Sequence, residues 1–486
     1  MVWLSGPAMN QRRRQFLTGI GVFGIGVLAG CGSDSGSNPG TDTPSATPSN
    51  ASSGGTPTRT PSTTLTPGNA PTPSPTATDT STPVSPTTET NKLAAGDGGE
   101  HDSFGDSVAV SGDGSTAIIG AESEGEPNGR EAGAAYVFSR DGDSWTQEAK
   151  LAAGDGNKHH FFGDSVAVSA DGSRALIGAW GYSDSNGDDV GSAYVFRRKN
   201  GSWLQETKLA ASDGDGSDLF GAAVGIAGDG TTAIIGARKD QNPHGEGSGS
   251  AYVFSRDGES WTEDAKVMAG DGDEGDQFGH SVSMSRDGSS ALVGAHFDAD
   301  PHGTNAGSAY VFRRADGSWT QAAKLVADDG DSWDNFGRAV SLSGDGATAI
   351  VGSSYDEDPI GEGAGSAYAF RRVDGTWTQE AKLTAPDGNP EDEFATSVAL
   401  SADGSSVIIG TPNDDTPNAE NTGSAYAFTN ENGSWALQAR FAAGDGDEVD
   451  GLGRSVAVSN DGSTALLGAP ADDDPNGEWA GSAYVF

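Results

Sequence analysis

Aspartates recur at fixed spacing along this chain, and the spacing suits a hard cation. The pattern D-G-D-x-x-D stands at Asp213, Asp215 and Asp218, at Asp271, Asp273 and Asp276, at Asp329, Asp331 and Asp334, and at Asp445, Asp447 and Asp450. Alternate carboxylates on a glycine-containing turn can converge on one Ca2+, with backbone carbonyls and water completing its shell of oxygens. Asp-Gly pairs are also ordinary turn formers on an acidic surface, so both readings stand at this point. Three further copies break the pattern with Gly99, Asn157, His160 and Asn389. His296-Phe-Asp-Ala-Asp-Pro-His302 gathers two histidines and two aspartates, and His159-His160 is a second pair; neither follows a zinc spacing. Trp180, Tyr182, Trp333, Tyr355 and Trp479 are aromatics without counterparts elsewhere in the repeat, suited to stacking on a sugar ring or anchoring a protein partner. Local packing over the loops would use them equally well. The chain offers no phosphate-cradling loop and no Ser-His-Asp spacing, and no carboxylate pair stands out from the acidic background. No catalytic residue is therefore assigned, and the chain is read as a non-enzyme.

The elements that must carry these residues follow from a strict repeat. Tyr136, Tyr194, Tyr252, Tyr310, Tyr368, Tyr426 and Tyr484 mark seven copies of one phrase, spaced 58 residues apart. A fixed period without insertion means one supersecondary unit stacked on itself. In the copy opening at Phe278-Gly279, Ser281–Ser285 and Ala291–Ala295 flank an Asp-Gly turn and predict a hairpin. Ser308–Phe312 predicts a third strand with large Tyr310 and Phe312 on one face and small Ala309 and Val311 on the other. Trp319–Leu325 predicts a fourth. Trp145, Trp203, Trp261, Trp319, Trp377 and Trp435 repeat at that fourth strand, as packing residues would.

Four short antiparallel strands repeated seven times predict an all-β fold, a seven-bladed β-propeller over residues 87–486. The seventh copy lacks its fourth-strand phrase, and Asn91-Lys92-Leu93-Ala94-Ala95 matches it. An N-terminal strand within Thr87–Ala95 is therefore expected to close the last blade.

Residues 1–30 read as an export signal. Arg13-Arg14-Gln15-Phe16-Leu17 is a twin-arginine pattern, and Leu28-Ala29-Gly30-Cys31 reads as a lipobox that makes the single cysteine, Cys31, a lipidation site. The expected location is the outer face of the cytoplasmic membrane, with the lipid as the only membrane contact. Residues 31–86, rich in Ser, Thr and Pro, bury too little apolar surface to fold and read as a tether. Net charge is −42, which argues against nucleic acid as a partner and matches the salt-adapted surfaces of halophiles. A monomer is expected.

The order Phe-Gly, strand, Asp-Gly turn, strand, Gly-Ala resembles FG-GAP repeats, the propeller units of integrin alpha subunits and many microbial surface proteins. Phe-Gly stands at Phe104, Phe162, Phe220, Phe278 and Phe336, and becomes Phe394-Ala395 and Leu452-Gly453; the full Gly-Ala-Pro occurs at Gly468-Ala469-Pro470. The family's calcium loops do not carry over to the first turn, which is cut to forms such as Ser111-Gly-Asp-Gly-Ser115 with one carboxylate. The resemblance implies a recognition or adhesion platform that binds a protein or glycan at the cell surface. A polysaccharide-acting enzyme working at the channel mouth, and a structural envelope component, are the alternatives.

Overall fold

The computed structural model describes residues 86–299, 301–415 and 419–486. The export signal, Cys31, most of the expected tether and Asp300 lie outside the described residues. Twenty-eight strands, numbered β1 to β28 in chain order, form seven four-stranded antiparallel sheets; no helix occurs among the described residues. The first blade is built from β2 (Val108–Val110), β3 (Thr116–Ala121), β4 (Ala134–Asp141) and β5 (Ser144–Leu151). In the last, β26 (Ser455–Val458), β27 (Ala465–Ala469) and β28 (Ser482–Val485) are completed by β1 (Asn91–Leu93). Asn91 pairs with Val485 and Leu93 with Ala483, so the expected closure by an N-terminal strand is what the structure shows.

The ring is closed at both ends of the innermost strands. At the Phe-Gly end, Ser107, Ser281 and Ser397 donate from Oγ to the Phe-Gly glycine carbonyl of the following blade, and Ser455 makes the same bond to Gly105, from the last blade to the first. At the Asp-Gly end, one backbone N–H per blade donates to the carbonyl of its counterpart in the next. The circuit runs Gly112, Ala170, Gly228, Arg286, Gly344, Ala402, Asn460 and back to Gly112. Its interior is crowded. A Cβ on Gly112 would meet Asn460 Nδ2 at 2.1 Å, and one on Gly228 would meet Arg286 Cγ at 2.5 Å.

Blades pack large face on small. Ala135 and Val137 of one blade lie in a cluster with Phe162, Tyr194 and Phe196 of the next, as the alternation of side-chain sizes predicts. The Phe-Gly ring meets the third-strand tyrosine and phenylalanine edge to face, Phe104 against Tyr136 at 5.4 Å and Phe138 at 6.0 Å. Where Leu452 replaces the phenylalanine, Phe441 stands in place of the usual fourth-strand leucine or valine and packs into the same interface. Volume is exchanged across the contact, which a close-packed core requires. The Gly-Ala glycine is needed for blade approach: a Cβ on Gly294 would lie 2.0 Å from Gly337 O.

Candidate functional site

Both long loops of each blade, the one after the fourth strand and the one between the second and third, meet at the Phe-Gly end. There the acidic residues turn out to be structural. In the third blade, Asp213 and Asp240 accept from Tyr252 Oη at 2.8 Å each, and Lys266 Nζ lies 2.8 and 2.6 Å from the same two carboxylates. Lys324 bridges Asp271 and Asp298, Lys382 bridges Asp329 and Asp356, and Lys92 of β1 bridges Asp445 and Asp472. Arg440 takes the lysine's place in the sixth blade, between Asp387 and Asp414. Burial, reinforced by these carboxylates, pushes the tyrosine hydroxyls far above their usual range.

The last aspartate of each loop is spent on the backbone. Asp218, Asp276, Asp334 and Asp450 are buried and accept from the backbone N–H of Asp215, Asp273, Asp331 and Asp447 at 2.6–2.7 Å. The twelve aspartates of these loops therefore have other partners in this structure. Asp213, Asp271, Asp329 and Asp445 belong to lysine and tyrosine; Asp218, Asp276, Asp334 and Asp450 cap a turn; Asp215, Asp273, Asp331 and Asp447 contribute the N–H that is capped. Among the described residues, the three carboxylates of no such loop bring ligand atoms within 4.8 Å of one another.

Burial raises the capping aspartates, and the second-loop carboxylate facing them adds to it: Asp218, Asp276 and Asp334 to about 6, Asp450 to about 7. The second blade replaces both members of this pair. His160 holds the capping position, with Nδ1 accepting from Asn157 N–H, and Tyr182 holds the other. Their rings meet edge to face at 4.9 Å, and Lys208 Nζ sits 2.9 Å from the Tyr182 ring centre. Tyr182 is therefore a packing residue, and His159 pairs with Glu131 at 2.7 Å.

The groups that do not repeat stand elsewhere, around the channel mouth. Two positions per blade face it, the residue after Phe-Gly and the residue after Gly-Ala. Close contact of the Gly-Ala glycine with the next blade's Phe-Gly carbonyl makes these positions alternate around the ring. One sector is acidic: Asp106, Glu122 and Asp164 bring carboxylate oxygens within 4.8 Å of one another, the one such group of three among the described residues. Glu122 is pushed well above the usual carboxylate range by burial and by its two neighbours. Burial and Asp106 raise Asp164 to about 6 against the pull of Arg238. A cation could be held here, and Arg454 already lies 3.8 Å from Asp106.

A second sector is basic. Arg238, His280, His296 and Arg338 follow one another over the third to fifth blades, and the two imidazole centres are 3.9 Å apart. Burial holds both histidines well below their usual range; His296 and Arg238, Arg338 and Arg454 add to this at His280, and Arg338 and Arg238 at His296. His296 therefore lies with His280, while the His302 ring rests over Gly330, so the two histidines of this stretch have different neighbours.

Two of the five singled-out aromatics flank this mouth. Trp180 stacks on Phe161 at 4.4 Å, and Arg338 lies 5.7 Å from the Tyr355 ring centre. Trp479 meets His101 edge to face at 5.4 Å, and Trp333 is 61% exposed on its loop. The shallow concavity at the opposite end, by Arg286 and Asp287, is made of the repeated turns; the irregular chemistry is at the mouth.

The family model of the FG-GAP repeat matches residues 87–138, 145–196, 203–254, 261–312, 319–370, 377–428 and 435–486. The chain belongs to the FG-GAP repeat family. Each matched FG-GAP segment begins in the fourth strand of one blade, or just before β1, and reaches into the third strand of the next. It therefore spans a blade interface. No curated relative matches the chain.

Proposed function

We propose that this FG-GAP propeller is a non-catalytic recognition platform whose ligand, a glycan or protein group, seats in the channel mouth at the Phe-Gly end. One observation carries this reading. The two mouth positions abandon the sevenfold chemistry while the glycines beside them are kept almost without exception, so the frame repeats and the lining does not. Trp180 and Tyr355 supply aromatic faces beside charged groups, a combination suited to sugars. Calcium held by the D-G-D-x-x-D loops has no place in this reading, because those aspartates already hold lysines, tyrosines and turns.

Retention on immobilised neutral, uronate-bearing and sulfated polysaccharides tests it. At least one class is expected to bind, and Trp180→Ala with Tyr355→Ala to weaken it about tenfold or more, the loss of a well-placed aromatic contact or two. Retention unchanged in that double variant would sink the mouth as the seat, and no retention by any class would sink a glycan as the ligand.

The platform is further proposed to be exported and anchored by a lipid on Cys31, with residues 31–86 as spacer. The motif Leu28-Ala29-Gly30-Cys31 supports this. Cys31→Ser is expected to move the protein from the membrane fraction to the medium; unchanged fractionation would contradict the anchor.

A further inference from the structure

The basic sector of the mouth is anomalous in a chain with 28 basic and 70 acidic residues. Each blade's fourth-strand lysine or arginine has a carboxylate within 3 Å, and most are held between two. Among the described residues, neither Arg238 nor Arg338 has a carboxylate within 4 Å, although both are half-buried in the mouth. Three polar atoms in the same sector are buried without a hydrogen-bond partner: His280 Nδ1, His296 Nδ1 and Ser354 Oγ. His296 is 3% exposed and Ser354 fully buried. Ser354 occupies, one blade on, the position that His296 occupies in its own. Asp164 acts on Arg238 and Glu393 on Arg338 only at longer range; buried polar groups are nearly always satisfied, and this cluster of unsatisfied ones beside two guanidinium groups without a close carboxylate suits a bound partner.

We propose that Arg238, Arg338, His280, His296 and Ser354 form a binding site for an oxyanion, a carboxylate or sulfate group of the ligand. The inference rests on the mouth being the ligand's seat and names the group recognised there. Guanidinium forks bind carboxylate and sulfate oxygens in pairs, and neutral imidazole and hydroxyl groups donate one further bond each. A metal ion between the imidazoles is disfavoured, because two guanidinium charges flank them. The carboxylates of the first and second blades disfavour an anion on their side of the mouth, which leaves it the third to fifth blades.

Thermal unfolding of the full chain in high KCl tests the site, with sodium sulfate or sodium glucuronate exchanged for chloride at constant ionic strength. A saturable rise in Tm is expected with at least one of them, since a ligand that binds only the native state stabilises it. Arg238→Gln and Arg338→Gln are each expected to weaken the apparent affinity about tenfold or more, as the loss of a charged hydrogen bond does. Arg313→Gln, on an exposed strand end, controls for charge and should leave it unchanged. Tighter glucuronate would identify a sugar carboxylate, and tighter sulfate a sulfate ester or the free anion. No saturable rise, or an equal rise in the Arg238 and Arg338 variants, would overturn the proposal. Polysaccharide retention that depends on Trp180 and Tyr355 without any anion effect would leave the recognition reading standing and remove this site. Anion binding without retention of any polysaccharide would keep this site and remove a glycan as the ligand.

Discussion

Asp472→Ala is expected to lower the unfolding free energy by about 3 kcal/mol, the cost of removing one member of a buried ion pair. The Asp472 carboxylate is 3% exposed and serves three groups at once. It accepts from Tyr484 Oη at 2.6 Å and from Asp474 N–H at 2.8 Å, and lies 2.9 Å from Lys92 Nζ. Lys92 belongs to β1, the strand that closes the ring, so this carboxylate ties the N-terminal strand to the last blade. Without it Tyr484 and Lys92 share Asp445 alone, which is far more exposed. Denaturant unfolding in high KCl would measure the loss, with Glu478→Ala, exposed on the same loop, expected to stay within about 0.5 kcal/mol of the parent. A loss for Asp472→Ala as small as that of the control would show that the tyrosine–carboxylate–lysine box does not secure closure.

Asn substitutions at the capping aspartates are expected to stabilise the fold at pH 8 by about 1 kcal/mol each, and to do little at pH 4. Burial and the facing carboxylate raise Asp276 and Asp334 to about 6, above the unfolded value of about 3.9. The native state therefore binds more protons than the unfolded chain between about pH 4 and 6. These aspartates cost nothing below pH 4, and their cost grows as pH rises toward their native values. Asparagine keeps an oxygen to accept the N–H of Asp273 or Asp331 and removes the charge. Buried His280 and His296 act in the opposite sense below their ordinary value near 6.5, so the informative quantity is the variant-minus-parent difference in Tm across pH. A difference independent of pH would refute the ionisation account. The second blade already makes such an exchange, with His160 and Tyr182 in place of the facing carboxylates.

The fold was legible because its signals repeat. Seven tyrosines at one spacing, the size alternation around them and the fourth-strand phrase at Asn91–Ala95 led to blades, interfaces and closure that the structure shows. The D-G-D-x-x-D loops repeat with the blades too. Their regularity reflects a structural need in every blade, and a lysine aligned with each loop, such as Lys266 or Lys324, was the available hint that the carboxylates were already engaged. Arg238, His280 and Arg338 were missed because each is one residue in an otherwise repeated strand end. Only aligning the seven residues that follow Phe-Gly, and the seven that follow Gly-Ala, exposes the change of charge around the ring. His296 was noticed for its neighbour His302, whereas its true companion, His280, is 16 residues earlier across a hairpin.

The most direct test of the mouth as ligand seat is a crystal structure of the protein grown with sodium glucuronate. A glucuronate carboxylate is expected within hydrogen-bond distance of Arg238 and Arg338, bonded also to His296 or Ser354, with the sugar ring toward Trp180 or Tyr355. Glucuronate bound only on the outer loops, or a mouth holding nothing but water at saturating glucuronate, would contradict it.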